Sequence, residues 1–197
     1  MNWFLKAKHW LLFLLIFGLP IAFRFILFMT FFFSSEDELI FLTPLLVLSA
    51  MANFISILLF FGWLWSVGLI LQKNMPKSLK LNVRYFKIAL LIPFIICISA
   101  AIWFQITFGA NSFNTEFIGF TFFVLSIYVM VLFAILLVPM AYCIFFVAKT
   151  IKILELKKEV KLSDYISEFV FIVLFPFGIW FIQPLINQIK HKTITDK

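Results

Sequence analysis

Four long apolar runs, parted by short clusters of charge, restrict what this chain can fold into more than any other feature. They cover roughly residues 10–33, 39–71, 88–108 and 117–148. Each reaches or exceeds the ~20 residues that carry an α-helix across the hydrocarbon core of a bilayer. A soluble domain of 197 residues could not bury four such runs, and charged residues make up 13% of the chain against about 25% in ordinary soluble domains. A transmembrane β-barrel would alternate apolar and polar residues in segments of about ten, and these runs do not alternate. The expected fold is an all-α membrane protein. It has four transmembrane helices plus a proline-broken C-terminal segment that is either re-entrant or a fifth helix, in a single integral membrane domain over residues 1–197.

The charges between the runs set an orientation. The stretch 72–87 holds Lys73, Lys77, Lys80, Arg84 and Lys87 without an acid, and Lys149–Glu168 holds Lys149, Lys152, Lys157, Lys158 and Lys161. The alternate loops hold Glu36, Asp37, Glu38 and Glu116 and no Lys or Arg. Cytoplasmic loops accumulate Lys and Arg, so the N-terminus and both basic stretches are expected in the cytoplasm. Anionic lipid headgroups are the expected partners at 72–87 and 149–161. Ile153, Leu156 and Val160 recur at helical spacing among lysines, which suits an interfacial helix or an extension of the fourth helix. The net charge of +7 is explained by these flanks, and no basic soluble module exists to bind nucleic acid. Trp3, Trp10, Trp63 and Trp65 are expected at the inner interface and Trp103 at the outer, as an aromatic belt. The positive start followed by an apolar run resembles a signal peptide, but the run is about twice as long as a signal h-region and no A-x-A site follows. It reads as a first helix that stays in place, kinked at Pro20.

Residues 169–189, FVFIVLFPFGIWFIQPLINQI, are apolar yet broken at Pro176-Phe177-Gly178 and again at Pro184. A fifth span would carry Lys190, Lys192 and Lys197 outside, against the charge rule. A re-entrant hairpin would return them to the cytoplasm, with its turn at Pro176–Gly178, where proline lacks an N–H and glycine tolerates a sharp bend. Arms of eight to ten residues would reach about 12–15 Å, and the tip would need protein around it. The hairpin is the favoured form. Pro20, Pro93 and Pro139 lie toward the cytoplasmic ends of their helices, and kinks there would splay a vestibule able to receive it.

Few residues inside the runs carry chemistry. Arg24 is the one charge within a helix, about nine residues from its outer end, and a buried arginine often marks a functional site. Asn53, Gln105 or the acidic turn Glu36-Asp37-Glu38 are its candidate partners. It is an anion or headgroup site, a structural arginine held by hydrogen bonds, or one that snorkels. Asn53 lies on a stripe with Ser49, Ala52 and Ser56, of the kind that lets helices approach closely. Gln183 and Asn187, at i and i+4, share a face of the hairpin's second arm. They line a polar cavity or satisfy backbone freed by Pro184.

Catalysis is not expected. His9 and His191 flank the membrane, no carboxylates pair at depth, and no glycine-rich phosphate loop is present. No cofactor or metal is expected either: Cys97 and Cys143 form no CxxC and no zinc spacing. Tyr165-Ile166-Ser167-Glu168-Phe169, with Phe175-Pro176-Phe177-Gly178-Ile179-Trp180-Phe181-Ile182-Gln183-Pro184 and Ile186-Asn187, resembles a segment that ends small multi-pass membrane proteins of uncharacterised bacterial families. It spans about 25 residues and implies an inner-membrane location and no activity. The leading expectation is a non-catalytic subunit or accessory component of a membrane complex, working through a protein partner or as a homo-oligomer. The alternatives are a small homo-oligomeric channel or transporter and a membrane-disrupting effector.

Overall fold

The computed structural model describes residues 3–33, 42–73, 75–110 and 115–195. The described residues are helical and contain no strand. The first apolar run is α1 (His9–Phe13), a π-turn (Leu14–Gly18) and α2 (Leu19–Phe33); then come α3 (Leu42–Lys73), a 3-10 turn (Lys77–Leu79), α4 (Val83–Ala110) and α5 (Thr115–Leu156). Two shorter helices, α6 (Leu162–Val173) and α7 (Phe175–Thr195), close the chain. Four stretches are long and apolar enough to cross a membrane: His9–Thr30, Pro44–Lys73, Val83–Ile102 and Ala134–Leu156. Glu36-Asp37-Glu38 lies outside the described residues, as do the side chains of Trp103 and Gln105.

The π-turn has a local cause. Pro20 has no N–H to give the carbonyl four residues back, which is Ile16. The hydroxyl of Ser56, on α3, donates to that carbonyl instead. The freed backbone group is thus satisfied from a neighbouring helix, as a bilayer requires. Pro44 falls in the first turn of α3, where a missing N–H is harmless.

α3 and α4 run antiparallel in one register. Phe61 meets Phe94 edge-on at 5.4 Å, and Lys87 stands 6.0 Å from the Trp65 ring. One turn further on, a Cβ on Gly68 would come within 2.5 Å of the Phe86 ring. Glycine there lets the fully buried Phe86 lie against the α3 backbone and stack on Phe146 of α5, centroids 4.4 Å apart. Gln72, also buried, ties the loop after α3 to the bundle. Its amide donates to Thr150 Oγ1 on α5 (3.0 Å) and its side-chain carbonyl accepts from the Leu81 N–H (3.2 Å).

α5 runs eight residues past the expected boundary at 148, to Leu156. Ile151 and Ile153 are buried there, so 149–156 continues the fourth spanning helix and is not a separate interfacial helix. The chain turns at Lys157, whose φ of 54° is left-handed, and α6 starts with the Asp164 carboxylate accepting the Lys161 N–H at 2.8 Å. That reach-back from the third helical position satisfies one orphan donor.

The C-terminal pair is a helical hairpin. α6 follows α5: Phe169 stacks on Phe145 at 4.0 Å, and Lys152 bridges Glu168 at 3.0 Å. α7 follows α1 in the opposite sense. Phe175 meets Phe17, Trp180 meets both Phe13 and His9, and Asn187 reaches the Ala7 carbonyl. The end of α7 therefore returns to the side of the bundle that holds the N-terminal segment.

The corner is a correction to the sequence reading. The turn lies at Leu174, not at Pro176–Gly178. The Leu174 N–H closes α6 on the Val170 carbonyl (2.9 Å), and its own carbonyl accepts from Phe177 and Gly178 (2.9 and 2.8 Å) to open α7. Pro176 sits in the first turn of α7, where proline is tolerated at little cost. Gly178 is not bent; it is buried, and a Cβ there would collide with the Phe171 carbonyl oxygen of α6. The glycine permits close approach of two helices, and α6, with 12 residues, rises about 18 Å, more than the arms expected.

The core is concentrated at the end of the bundle that holds the hairpin. It joins Leu5, Leu12 and Ile16 to Trp63, Leu64, Val67 and Leu71, to Val147 and Ile151, and to Ile172, Ile179, Ile182 and Ile186. Toward the other end Phe25, Phe28, Phe32, Val47, Met51, Met130 and Val131 are exposed. That surface would face acyl chains in a bilayer, where exposed apolar side chains are expected.

Candidate functional site

Two polar nodes sit among the apolar helices, one at each level of the bundle. The inner node centres on Gln183 of α7, which is fully buried. Its side-chain carbonyl accepts from Trp63 Nε1 at 2.9 Å. Its amide donates to the backbone carbonyls of Phe4 (2.7 Å) and Ala7 (3.1 Å), with Asn187 Oδ1 at 3.4 Å. The Asn187 amide in turn reaches the Ala7 carbonyl at 3.5 Å.

The N-terminal segment is shaped for this. The N–H groups of Lys6 and Ala7 both bond to the Trp3 carbonyl at 2.9 Å, which curls residues 3–7 so that their later carbonyls point inward. Gln183 uses both its side-chain oxygen and its side-chain nitrogen within the chain. Gln183 and Asn187 do satisfy backbone, but it is that of Phe4 and Ala7 and not that freed by Pro184. Trp63 is likewise no belt residue, being fully buried between Gln183 and the Phe175 ring (4.8 Å). Phe175, packed also on Phe60 at 5.1 Å, is the residue that docks the hairpin tip, while Phe177 beside it is 77% exposed.

A charged seam lies further along the hairpin. Glu168 of α6 is buried, accepts from Lys152 at 3.0 Å and from Ser167 Oγ at 2.9 Å, and shares Lys152 with Glu155 at 2.9 Å. Near the end of α7, burial and the neighbouring Lys6 ammonium hold Lys190 below the usual lysine range. In the sequence Lys190 bore only on the side reached by the chain end, and the Lys152–Glu168 pair carried no mark, because lysines and glutamates between spans read equally well as solvated.

The outer node is open. Arg24 of α2 donates from Nη2 to Asn53 Oδ1 at 3.1 Å, and the Asn53 amide donates to the Ser49 carbonyl at 2.8 Å. Arg24 is exposed and makes no ion pair among the described residues. Asn53 was one of three candidate partners for Arg24; the side chain of Gln105 and the acidic turn, the other two, lie outside the described part of the structure. Ser49 and Ala52 are buried and Ser56 bonds to α1's continuation, so the small-residue stripe is the α2–α3 contact itself. Among the described residues no group of His, Cys, Asp and Glu is placed to hold a metal ion.

Compared with known protein families, curated proteins and solved structures, the chain finds no match. The fold and the two nodes define a multi-helix membrane protein, and its role is argued from them alone.

Proposed function

We propose that this chain is a non-catalytic subunit of a bacterial inner-membrane complex. The face around Arg24 takes a transmembrane helix of a different protein, one that carries an Asp or Glu carboxylate at matching depth. The carrying observation is the exposed guanidinium of Arg24 with Asn53 as its one described side-chain partner. Arg24 lies 15 residues beyond His9 and 6 before Thr30, inside the outer third of its span. An arginine at the centre of a span costs about 2.5–3.5 kcal/mol on insertion scales, and Arg24 faces a part of that cost. An interhelical hydrogen bond in a bilayer returns on average about 0.6 kcal/mol. Most of the cost is thus unmet within the chain.

Snorkelling outward is disfavoured by direction, since helical side chains lean toward the helix N-terminus, here away from the nearer surface. A carboxylate supplied from outside would accept the free guanidinium donors in a paired geometry. A second copy of the chain is a poor supplier: its apolar runs hold no Asp or Glu, and Glu116 lies at the edge of one. In this reading the N-terminus and the end of α7 are both cytoplasmic, as the Lys and Arg distribution favours.

The test places a photo-crosslinking residue at Ile21 or Phe25, both exposed beside Arg24. The expected result is one discrete adduct in cells that is lost in Arg24→Leu and partly kept in Arg24→Lys. An adduct indifferent to Arg24→Leu, or none at all from a protein that purifies as a monomer, overturns the reading. A single cysteine at Lys192, in a chain without Cys97 and Cys143, should label from the cytoplasmic side; labelling from outside would overturn the topology.

A further inference from the structure

An open apolar groove of about 250 Å³ runs between α3 and α4, away from both polar nodes. Its walls are regular. α3 contributes Leu58, Phe61, Gly62 and Trp65, spaced i, i+3, i+4, i+7, and α4 contributes Leu90, Leu91 and Phe94. Lys87 extends the α4 set by one step on the same face, and its ammonium stands 6.0 Å from the Trp65 ring at the groove's end. Arg84 is one turn earlier on that face, exposed, and Lys80, also exposed, precedes the helix. The groove thus has an apolar length of about 10 Å along the helices and a basic mouth with no acid between residues 72 and 87.

Two features select the occupant. The walls offer no hydrogen-bonding side chain apart from the Trp65 indole, which suits a hydrocarbon tail. The mouth offers three cations at the level where α4 begins, which suits an anionic headgroup held at the membrane surface. A transmembrane helix of a partner would fill the walls equally well but would leave Lys87, Arg84 and Lys80 without a counter-charge. The Lys87–Trp65 contact sets the exposed ammonium at the groove's end, where a headgroup would meet it.

We infer that this groove seats one acyl chain of an anionic glycerophospholipid of the surrounding bilayer, with the phosphate-bearing headgroup held by Lys87 and Arg84. The site is independent of Arg24, so it stands or falls separately from the subunit reading.

The experiment is native mass spectrometry of the full chain released from vesicles containing equal phosphatidylglycerol and phosphatidylcholine. Three proteins are compared: wild type, Lys87→Gln and Leu91→Trp. Leu91 is 53% exposed on the groove wall, so the indole fills the groove without entering the core. Wild type should keep one phosphatidylglycerol in preference to phosphatidylcholine. Lys87→Gln should lower that preference about fivefold, which corresponds to the ~1 kcal/mol of one basic residue near an anionic surface. Leu91→Trp should lose the retained lipid of either kind while melting as wild type does. Equal retention of the two lipids by wild type overturns the inference. So does lipid retention unchanged by both substitutions, or a dimer that Leu91→Trp dissociates, which would make the groove a contact between copies.

Discussion

Gln183 and Arg24 are both strongly polar side chains in apolar helices, and the molecule treats them in opposite ways. Gln183 is enclosed: its carbonyl and amide are both used, by partners from the N-terminal segment, α3 and its own helix. Arg24 is exposed and has one described side-chain partner, Asn53. The difference follows packing. At the hairpin end, α6 and α7 add two helices to the four, and the core closes around Trp63 and Ile182. Toward the other end no such filler is present among the described residues, and the apolar side chains face outward. A closed polar node holds a fold together, because each buried donor it satisfies would otherwise cost the full desolvation of that group. An open one leaves donors for something else to satisfy, which is why the subunit reading rests on Arg24 and not on Gln183.

The sharpest way to break the comparison is to open the closed node. Gln183→Leu strands the Trp63 N–H and withdraws the donors to the Phe4 and Ala7 carbonyls. At about 1–3 kcal/mol for each buried group left unpaired, the loss should be on the order of 4 kcal/mol. Denaturation by titrated SDS in mixed micelles would read it. Trp63→Phe, which withdraws the donor to the Gln183 carbonyl and leaves a small void at a fully buried position, should lose roughly half as much. If Gln183→Leu melted like the wild type, the node would be incidental and its contrast with Arg24 would vanish.

Gly178→Ala tests the hairpin that closes that node. The added methyl meets a backbone carbonyl on α6, which cannot rotate away as a side chain would. Overpacking of this kind costs about 1–3 kcal/mol, and relief requires α6 and α7 to separate. Tryptophan fluorescence should report the change, since Trp63 and Trp180 both pack against the hairpin or its neighbours. A fully native melt for Gly178→Ala would mean that the two helices are not held at this distance in the membrane.

What the sequence disclosed follows the same division. The four long helices were legible because the bilayer imposes a length that composition cannot disguise. Asn53 could be named among three candidate partners of Arg24 because so few polar residues enter the spans, but nothing in the sequence chose it over Gln105 or the acidic turn. The fold-back of the chain end was legible from the three lysines of the tail and the Pro-Phe-Gly break. The position of the corner was not. Proline and glycine next to one another suggest a turn, but proline is equally suited to the first turn of a helix, and glycine to a close helix–helix contact. Leu174, the residue that makes the corner, carries no such mark. The partners of Gln183 were also hidden. Trp63 is 120 residues away and Phe4 is 179, and no local pattern encodes a contact over that distance. Trp63 was assigned to an interfacial belt because a tryptophan near the end of a span usually belongs there. The hairpin that buries it could not be seen from α3 alone.

The smallest effect should come from Arg24→Leu in the purified chain. In a membrane the unfolded reference keeps its helices inserted, so the insertion cost of the arginine is present in both states and largely cancels. What remains is the single hydrogen bond to Asn53, about 0.6 kcal/mol, and Asn53 keeps its own bond to the Ser49 carbonyl. The expected melt is within about 1 kcal/mol of wild type, set against about 4 kcal/mol for Gln183→Leu. That small effect is informative because of the pairing with the crosslinking experiment: a residue that matters little to the isolated chain and decisively to its adduct is a contact, not a brace. A loss above about 2 kcal/mol would instead make Arg24 a second closed node, satisfied within the chain, and the argument for a partner carboxylate would lose its support.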